Sequence, residues 1–197
     1  MKHLDLGCGG NPRNPFGADE IYGVDITERD FSKTVRDLNF EFRATNLVID
    51  PIPFPDNYFD SVSAYDFIEH IPRVIYKDGL TILPFIQLMS EIFRVLKGGG
   101  EFFAVTPFYP KESAFMDPTH VNFITKNSHK YFVEPYTWAK MYGFDGNFLC
   151  LRCDVVNFES EVNGRHGARA VFSKVLETLL PRLRQHIVWR FRAIKHY

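Results

Sequence analysis

The chain has 197 residues, 45% hydrophobic and 16% aromatic, with 23 Lys+Arg against 24 Asp+Glu for a formal net charge of -1. This describes one compact soluble domain, able to bury roughly 70% of the surface its unfolded chain exposes, and excludes disordered and fibrous classes. No apolar run reaches the ~18 to 20 residues of a membrane span and no charged-then-apolar leader opens the chain, so the expected location is cytoplasmic.

Cys8, Cys150 and Cys153 are too few for a disulfide framework and lack the partners of a zinc site. The near-zero charge divides unevenly at Gly164. Residues 165–197 carry eight basic side chains against the single acid Glu177, for +7, and the first 164 residues hold 15 basic and 23 acidic, for -8. An acidic body with a basic tail can mark an interaction surface.

In chain order, His3 to Leu6 predicts a short strand running into a glycine loop, and Ile21 to Asp25 a second strand. Ala44 to Ile49 predicts a third, followed by a turn built on Pro51, Pro53 and Pro55, then a buried strand over Phe59 to Tyr65. Leu88, Ile92, Val95 and Leu96 recur at helical spacing and end at Lys97-Gly98-Gly99-Gly100, before a strand at Glu101 to Thr106. This alternation predicts a parallel sheet covered by helices, with ligands at the carboxyl ends of its strands. Phe108 to Lys130 is a long irregular segment of the kind that forms lids and binding loops. Val133 to Tyr142 reads as a helix ending at Gly143, and Asn147 to Asn157 as a late strand. The tail reads as helical, with one stripe of Phe172, Val175, Leu176 and Leu179 and, beyond Pro181, another of Leu183, Ile187, Phe191 and Ile194. On that second stripe Trp189 falls on the opposite, outer face.

Asp5-Leu6-Gly7-Cys8-Gly9-Gly10 places small residues where a strand turns sharply and a ligand approaches the backbone. Twenty residues after Asp5, Asp25 ends the second strand, from where a carboxylate accepts hydrogen bonds from both hydroxyls of a ribose. Loop and acid together point to an adenosine-type ligand. Pro12 stands where a dinucleotide fold wants its third glycine, which disfavours a pyrophosphate-binding dehydrogenase.

Six segments in register resemble class I S-adenosylmethionine-dependent methyltransferases over roughly residues 1 to 160. They are Asp5 to Gly9, Val24-Asp25-Ile26, Asn46-Leu47, Pro53 to Asp60, Ala64 to Ile71, and Glu91 to Gly100. The resemblance implies a Rossmann-like methyltransferase fold, α/β in class, with a mostly parallel sheet of about seven strands and helices on both faces. It further implies S-adenosyl-L-methionine as cofactor, held by Asp5, Leu6, Gly7, Cys8, Gly9, Arg13, Asp25, Ile26, Asn46, Leu47 and Tyr65. Two departures stand out: Asn11 replaces the usual third glycine, and Asn46 replaces the acid beside adenine, where its side-chain oxygen still accepts from an amino group. The short form, beginning Met, Lys and then the glycine motif, resembles small methyltransferases of polysaccharide and surface-glycan assembly. The expected domains are then residues 1–164 for methyl transfer and 165–197 as a basic helical extension packed on or beside them.

The expected activity is O-methylation of a sugar hydroxyl on a glycan or sugar conjugate, by in-line displacement with a histidine as base. In Asp117-Pro118-Thr119-His120, on the loop after the fifth strand, His120 is the first candidate and Asp117 can orient it. His70, after the fourth strand, is the second. No metal is expected by default, although Glu69, His70 and Asp117 offer an alternative in which they gather a divalent ion that lowers the acceptor's pKa. His129, His166, His186 and His196 read as surface residues, and Cys150 and Cys153 as ordinary strand cysteines. Three uses compete for the basic tail: docking on the acidic body, contact with a membrane surface or protein partner, and contact with nucleic acid. Alternatives to the whole reading are methylation of another small molecule or a nucleic acid, or a non-catalytic cofactor-binding scaffold.

Overall fold

The computed structural model describes residues 1–31, 39–162 and 185–195. In chain order the strands are β1 (Lys2–Leu6), β2 (Glu20–Asp25), β3 (Asn39–Ala44), β4 (Phe59–Tyr65), β5 (Ile75–Lys77), β6 (Leu80–Ile82), β7 (Leu96–Pro107), β8 (Phe148–Val156) and β9 (His186–Ala193), with helices α1 (Pro84–Val95) and α2 (Phe158–Val162). Seven strands form one sheet in the order β3-β2-β1-β4-β7-β9-β8, and β5 pairs with β6 as a separate hairpin. From β3 to β7 all neighbours are parallel, while β9 runs antiparallel to both β7 and β8. The strand order reverses between β1 and β4, which makes the carboxyl ends of those two strands the natural crevice for a ligand.

Side-chain alternation assigns the two faces. Leu4 and Leu6 of β1, Val62 and Ala64 of β4, and Phe102 and Ala104 of β7 join the main core, which also takes Phe85, Leu88, Met89, Ile92 and Val95 from α1. Pro84 opens that helix at a position where its missing N–H costs nothing. Arg94 near its end bonds Glu91, Asp56 and the carbonyls of Ile52 and Phe54, clipping the proline-rich turn to the helix.

The other face of the same strands is polar at its centre. The parallel register sets His3 against Ser61 and Asp5 against Ser63. Ser63 Oγ donates to Asp5 Oδ1 at 2.6 Å, His3 Nε2 lies 3.0 Å from Ser63 Oγ, and His3 Nδ1 lies 2.8 Å from Ser61 Oγ. Because the one proton of Ser63 goes to the carboxylate, His3 donates through Nε2 and accepts from Ser61 at Nδ1, which requires a neutral ring. Burial lowers the His3 pKa to about 4 and raises that of Asp5 to about 7.

Several sequence expectations are corrected. The third strand lies at Asn39–Ala44, not at Ala44 to Ile49, where Asn46 instead accepts the N–H groups of Ile49 and Asp50 in a turn. Val133 to Tyr142 is not an α-helix: it holds a 3-10 turn at Trp138–Tyr142, closed by Gly143 at φ +87°. The stripe Ile187, Phe191 and Ile194 is not helical either, since His186–Ala193 is a strand inside the sheet. Trp189 is fully buried rather than displayed, and His186 is mostly buried, 3.2 Å from Asp66. The first tail stripe, with Leu183, His166 and His196, lies outside the described residues, as does most of the expected basic helical extension. Helices on both faces are likewise unsupported: among the described residues one long helix, α1, covers one face, and the other bears α2 with Phe16 and Phe103. The irregular run from Phe108 to Lys130 is as expected, whereas the β5–β6 hairpin was missed although its two-residue loop, Asp78-Gly79 with both φ angles positive, is a strong hairpin signal.

Two measurements check this architecture. With Trp138→Phe, emission comes from Trp189 alone and is expected to be blue-shifted and resistant to iodide quenching; a readily quenched signal would restore an exposed position. For Asp5, the folded protein holds between about pH 4 and 7 a proton that the unfolded chain has released. That contribution to stability falls as pH rises through this window and then levels off. The drop in Tm between pH 4 and 7 is therefore expected to be smaller in Asp5→Asn than in the parent chain, with the opposing contribution of His3 common to both.

Candidate active site

The glycine loop leaves β1 at Leu6 and is held by the neighbouring strand: Gly7 and Cys8 donate their N–H groups to Val24 O at 2.8 and 3.2 Å. Gly7 at φ +64° and Gly9 at φ +56° adopt the left-handed conformation that glycine favours. A Cβ at Gly7 would collide with the Phe67 ring, whereas at Gly9 and Gly10 it would meet nothing within 4 Å. The loop is thus packed on one side by the segment after β4 and open on the other. Asp25 Oδ2 accepts the Gly9 N–H at 2.9 Å and Oδ1 accepts the Thr27 N–H at 3.1 Å. Two of the carboxylate's roughly four lone-pair positions remain for a diol. Asp5, behind the loop, accepts the Arg13 N–H at 2.8 Å and fixes the chain's return path.

The other expected cofactor residues divide. Leu6 and Leu47 are buried in the main core, so only their backbones can face a ligand. Cys8 is buried, and desolvation raises its thiol to about 12. Ile26 is 66% exposed beside Asp25 and available to cover a flat ring. Asn46 Oδ1 accepts the Val48 N–H at 3.1 Å, so the oxygen expected beside adenine also caps its own turn. Arg13 stacks its guanidinium 4.4 Å from the Tyr65 ring centroid, with Phe158 of α2 at 5.5 Å. A glycine loop open on one side, a carboxylate at the second strand end and an exposed apolar side chain next to it in the chain fit an adenosine-bearing cofactor.

Beyond β4 the chain turns at Asp66, a non-glycine residue at φ +44°, and forms a short 3-10 turn at Ile68–His70. Glu69 O accepts the N–H groups of Val121 and Asn122 at 3.0 and 2.9 Å, and Asn122 Nδ2 donates to Ile68 O at 3.1 Å. These bonds bring His120 onto Glu69 and His70. The two imidazole centroids are 4.8 Å apart at 74°, and His120 Nε2 lies 4.0 Å from Glu69 Oε1 and 3.9 Å from Asp117 Oδ2. Glu69 is 2% exposed, its Oε2 accepts from Thr106 at 2.8 Å, and burial pushes its pKa up to about 8.

Asp117 does not orient His120 by a hydrogen bond. It accepts from the Thr119 hydroxyl at 2.6 Å and the Thr119 N–H at 2.8 Å, and these bonds hold its carboxyl below the usual range. Thr119 Oγ1 in turn lies 2.9 Å from His70 Nδ1. As the only hydroxyl proton of Thr119 goes to Asp117, His70 Nδ1 is the donor and its lone pair sits on Nε2. Asp117 thus orients His70 through Thr119, a link hidden in sequence because it joins residues 49 apart. The pairing of Glu69 with His120 was equally hidden, though the Glu69-His70 pair after a strand was its visible half.

The family model described as a methyltransferase domain matches residues 4–104, half of the chain. Squalene methyltransferase 1 of Botryococcus braunii is 32% identical over 115 residues, covering 52% of this chain and 26% of that protein, so the chain spans about a quarter of the curated relative it matches. Among solved structures, the [4+2]-cyclase SpnF superposes with a TM-score of 0.60 at 16% identity, over 99% of this chain and 75% of that one. An S-adenosylmethionine-dependent methyltransferase from Mesorhizobium loti gives 0.58 at 14%, over 97% and 90%. Geranyl diphosphate C-methyltransferase from Streptomyces coelicolor A3(2) gives 0.58 at 15%, over 98% and 71%. At such identities the solved structures show the fold, and the family match assigns the chain: it belongs to the methyltransferase-domain family.

Proposed function

We propose that this enzyme methylates a hydroxyl, most fittingly on a sugar of a glycan or sugar conjugate, and that the hydroxyl loses its proton in the cluster of Glu69, His70 and His120. The observation that carries this reading is the placement of that cluster. Its supporting segment packs through Phe67 directly on Gly7 of the open loop. S-adenosylmethionine, when bound, supplies an activated methyl group and its own leaving group. The chain's residues then hold the acceptor in line and remove a proton, since a sugar hydroxyl is a poor nucleophile at neutral pH.

In the metal-free cluster the proton acceptor is an imidazole. His120 Nε2 faces the gap between Glu69 and Asp117, and His70 Nε2 carries a lone pair oriented through Thr119. On the loop that carries His120, Tyr109, Phe115 and Phe123 expose 54, 48 and 38% of their surface, and Phe115 stacks on Phe123 with centroids 4.8 Å apart. Such faces suit the apolar side of a sugar ring. A second reading has its own support: a cavity of about 510 Å³ lined by Leu83, Phe85, Ile124 and Phe132 opens beside Asn122, two residues from His120. It favours an acceptor with an apolar body, and the relatives named for squalene and geranyl diphosphate agree with that alternative.

Calorimetric titration tests the cofactor site. Asp25→Ala is expected to bind S-adenosylmethionine about 10- to 100-fold more weakly through loss of charge-assisted hydrogen bonds. His120→Ala is expected to keep cofactor affinity and to lose about 10²- to 10⁴-fold in kcat on a sugar acceptor. Undiminished turnover in His120→Ala together with loss in His70→Ala would move the base to His70. Methyl transfer to isoprenoid acceptors alone would replace the sugar reading by the second one.

A further inference from the structure

Glu69, His70 and His120 each offer one ligating atom to the same gap, and these atoms all lie within 4.8 Å of one another. Within the gap, Glu69 Oε1 is buried, 4.0 Å from His120 Nε2, and has no hydrogen-bond partner. A buried carboxyl oxygen without a hydrogen-bond partner is costly, and the cost is relieved by a ligand placed against it, a cation among them once the proton has left. The His70 ring presents a bare Nε2, because its Nδ1–H is engaged by Thr119 and, through Thr119, by Asp117. Metal-ligating histidines are held in this way, by a hydrogen bond from the nitrogen that does not ligate.

We propose that Glu69, His70 and His120 form a site for a first-row divalent transition-metal ion of the zinc, manganese or cobalt class. Two imidazole nitrogens and one carboxylate oxygen suit these ions, whereas magnesium and calcium prefer oxygen donors throughout. Ligands around a tetrahedral zinc ion stand roughly 3.3 Å apart, so the site closes by about 1 Å on binding and keeps a position open for a fourth ligand. With the ion held by the two imidazoles, a hydroxyl bound to it would ionise more readily, its proton leaving to bulk solvent on the side of the half-exposed Asp117. That consequence rests on the reading of the acceptor as a hydroxyl; the ion site itself does not.

Protein stripped with a chelator is titrated with Co²⁺, followed by visible absorption, and with Zn²⁺, followed by calorimetry. One ion per chain is expected, not displaced by Mg²⁺, with affinity reduced at least ~10-fold in His120→Ala and in Glu69→Gln. His70→Ala, at a half-buried position outside the core, is expected to give the same loss and keeps the test decisive if the Glu69 variant fails to fold. The competing soft site is Cys153, whose Sγ lies 3.3 Å from His129 Nδ1. A signal that survives both histidine variants and vanishes in Cys153→Ser overturns the proposal, as does the absence of stoichiometric binding. Cofactor titration on the stripped protein separates the two readings. A chain that binds S-adenosylmethionine and methylates a hydroxyl but takes up no Co²⁺ loses only the ion site. One that binds Co²⁺ but transfers methyl only to carbon loses only the hydroxyl acceptor.

Discussion

The hydrogen bond from Ser63 to Asp5 is the contact on which the site depends. It exists because β1 and β4 pair in parallel with Asp5 opposite Ser63, so that the two side chains leave the same face of the sheet as neighbours. Held there, the carboxylate also accepts the Arg13 N–H, which anchors the far end of the glycine loop to the strand that starts it. The near end is tied to β2 through Val24, and the middle to Asp25 through the Gly9 N–H. A glycine-rich loop with little side chain to pack beyond the buried Cys8 is thus given one shape by three backbone anchors, and an irregular connection without a helix becomes a preorganised surface. A one-residue slip of β1 against β4 would place Leu4 or Leu6 against Ser63 and release all of it.

The charge asymmetry finds part of its explanation in the sheet. Arg190 and Arg192 project from the polar face of β9 and share Glu101 of β7, at 2.6 and 2.9 Å. Lys195 reaches Asn57 and the carbonyl of Arg94. Three cations of the basic tail are therefore engaged with the body, two from β9 and Lys195 just beyond it, and the Arg190 and Arg192 ion pairs sit above a buried row of Ile187, Trp189, Phe191 and Ala193 on the opposite face. Being partly exposed, the pairs add little stability themselves; the apolar row supplies most of it.

The amino-terminal half was legible in the sequence because its signals are local. Gly7, Gly9 and Asp25 owe their positions to backbone geometry within a few residues, and the run from Phe59 to Tyr65 is long and apolar enough to be unambiguous. The later part was not, for a reason visible in β9. Ile187, Phe191 and Ile194 satisfy helical spacing, yet Trp189-Arg190-Phe191-Arg192-Ala193 alternates with a period of two, and only pairing with β7 and β8 decides between them. β3 escaped because its alternating Phe40 and Phe42 sit among exposed polar residues at a sheet edge. At the site, His70, His120 and Asp117 were recognised as reactive types in plausible loops. Their division of labour, with Asp117 serving His70 through Thr119, depends on bonds between segments some fifty residues apart, which no spacing rule reports.

The place of β9 between β7 and β8 has a consequence for how the molecule is made. Arg192 bonds Glu101 across 91 residues, so until that stretch of chain has emerged from the ribosome the edge of β7 that pairs with β9 has its backbone N–H and C=O groups unpaired. The five parallel strands can associate before then, but among the described strands β8 pairs within the sheet with β9 alone and must wait for it. A nascent chain therefore passes through a stage with its sheet open along one side, the condition in which strand edges attract wrong partners.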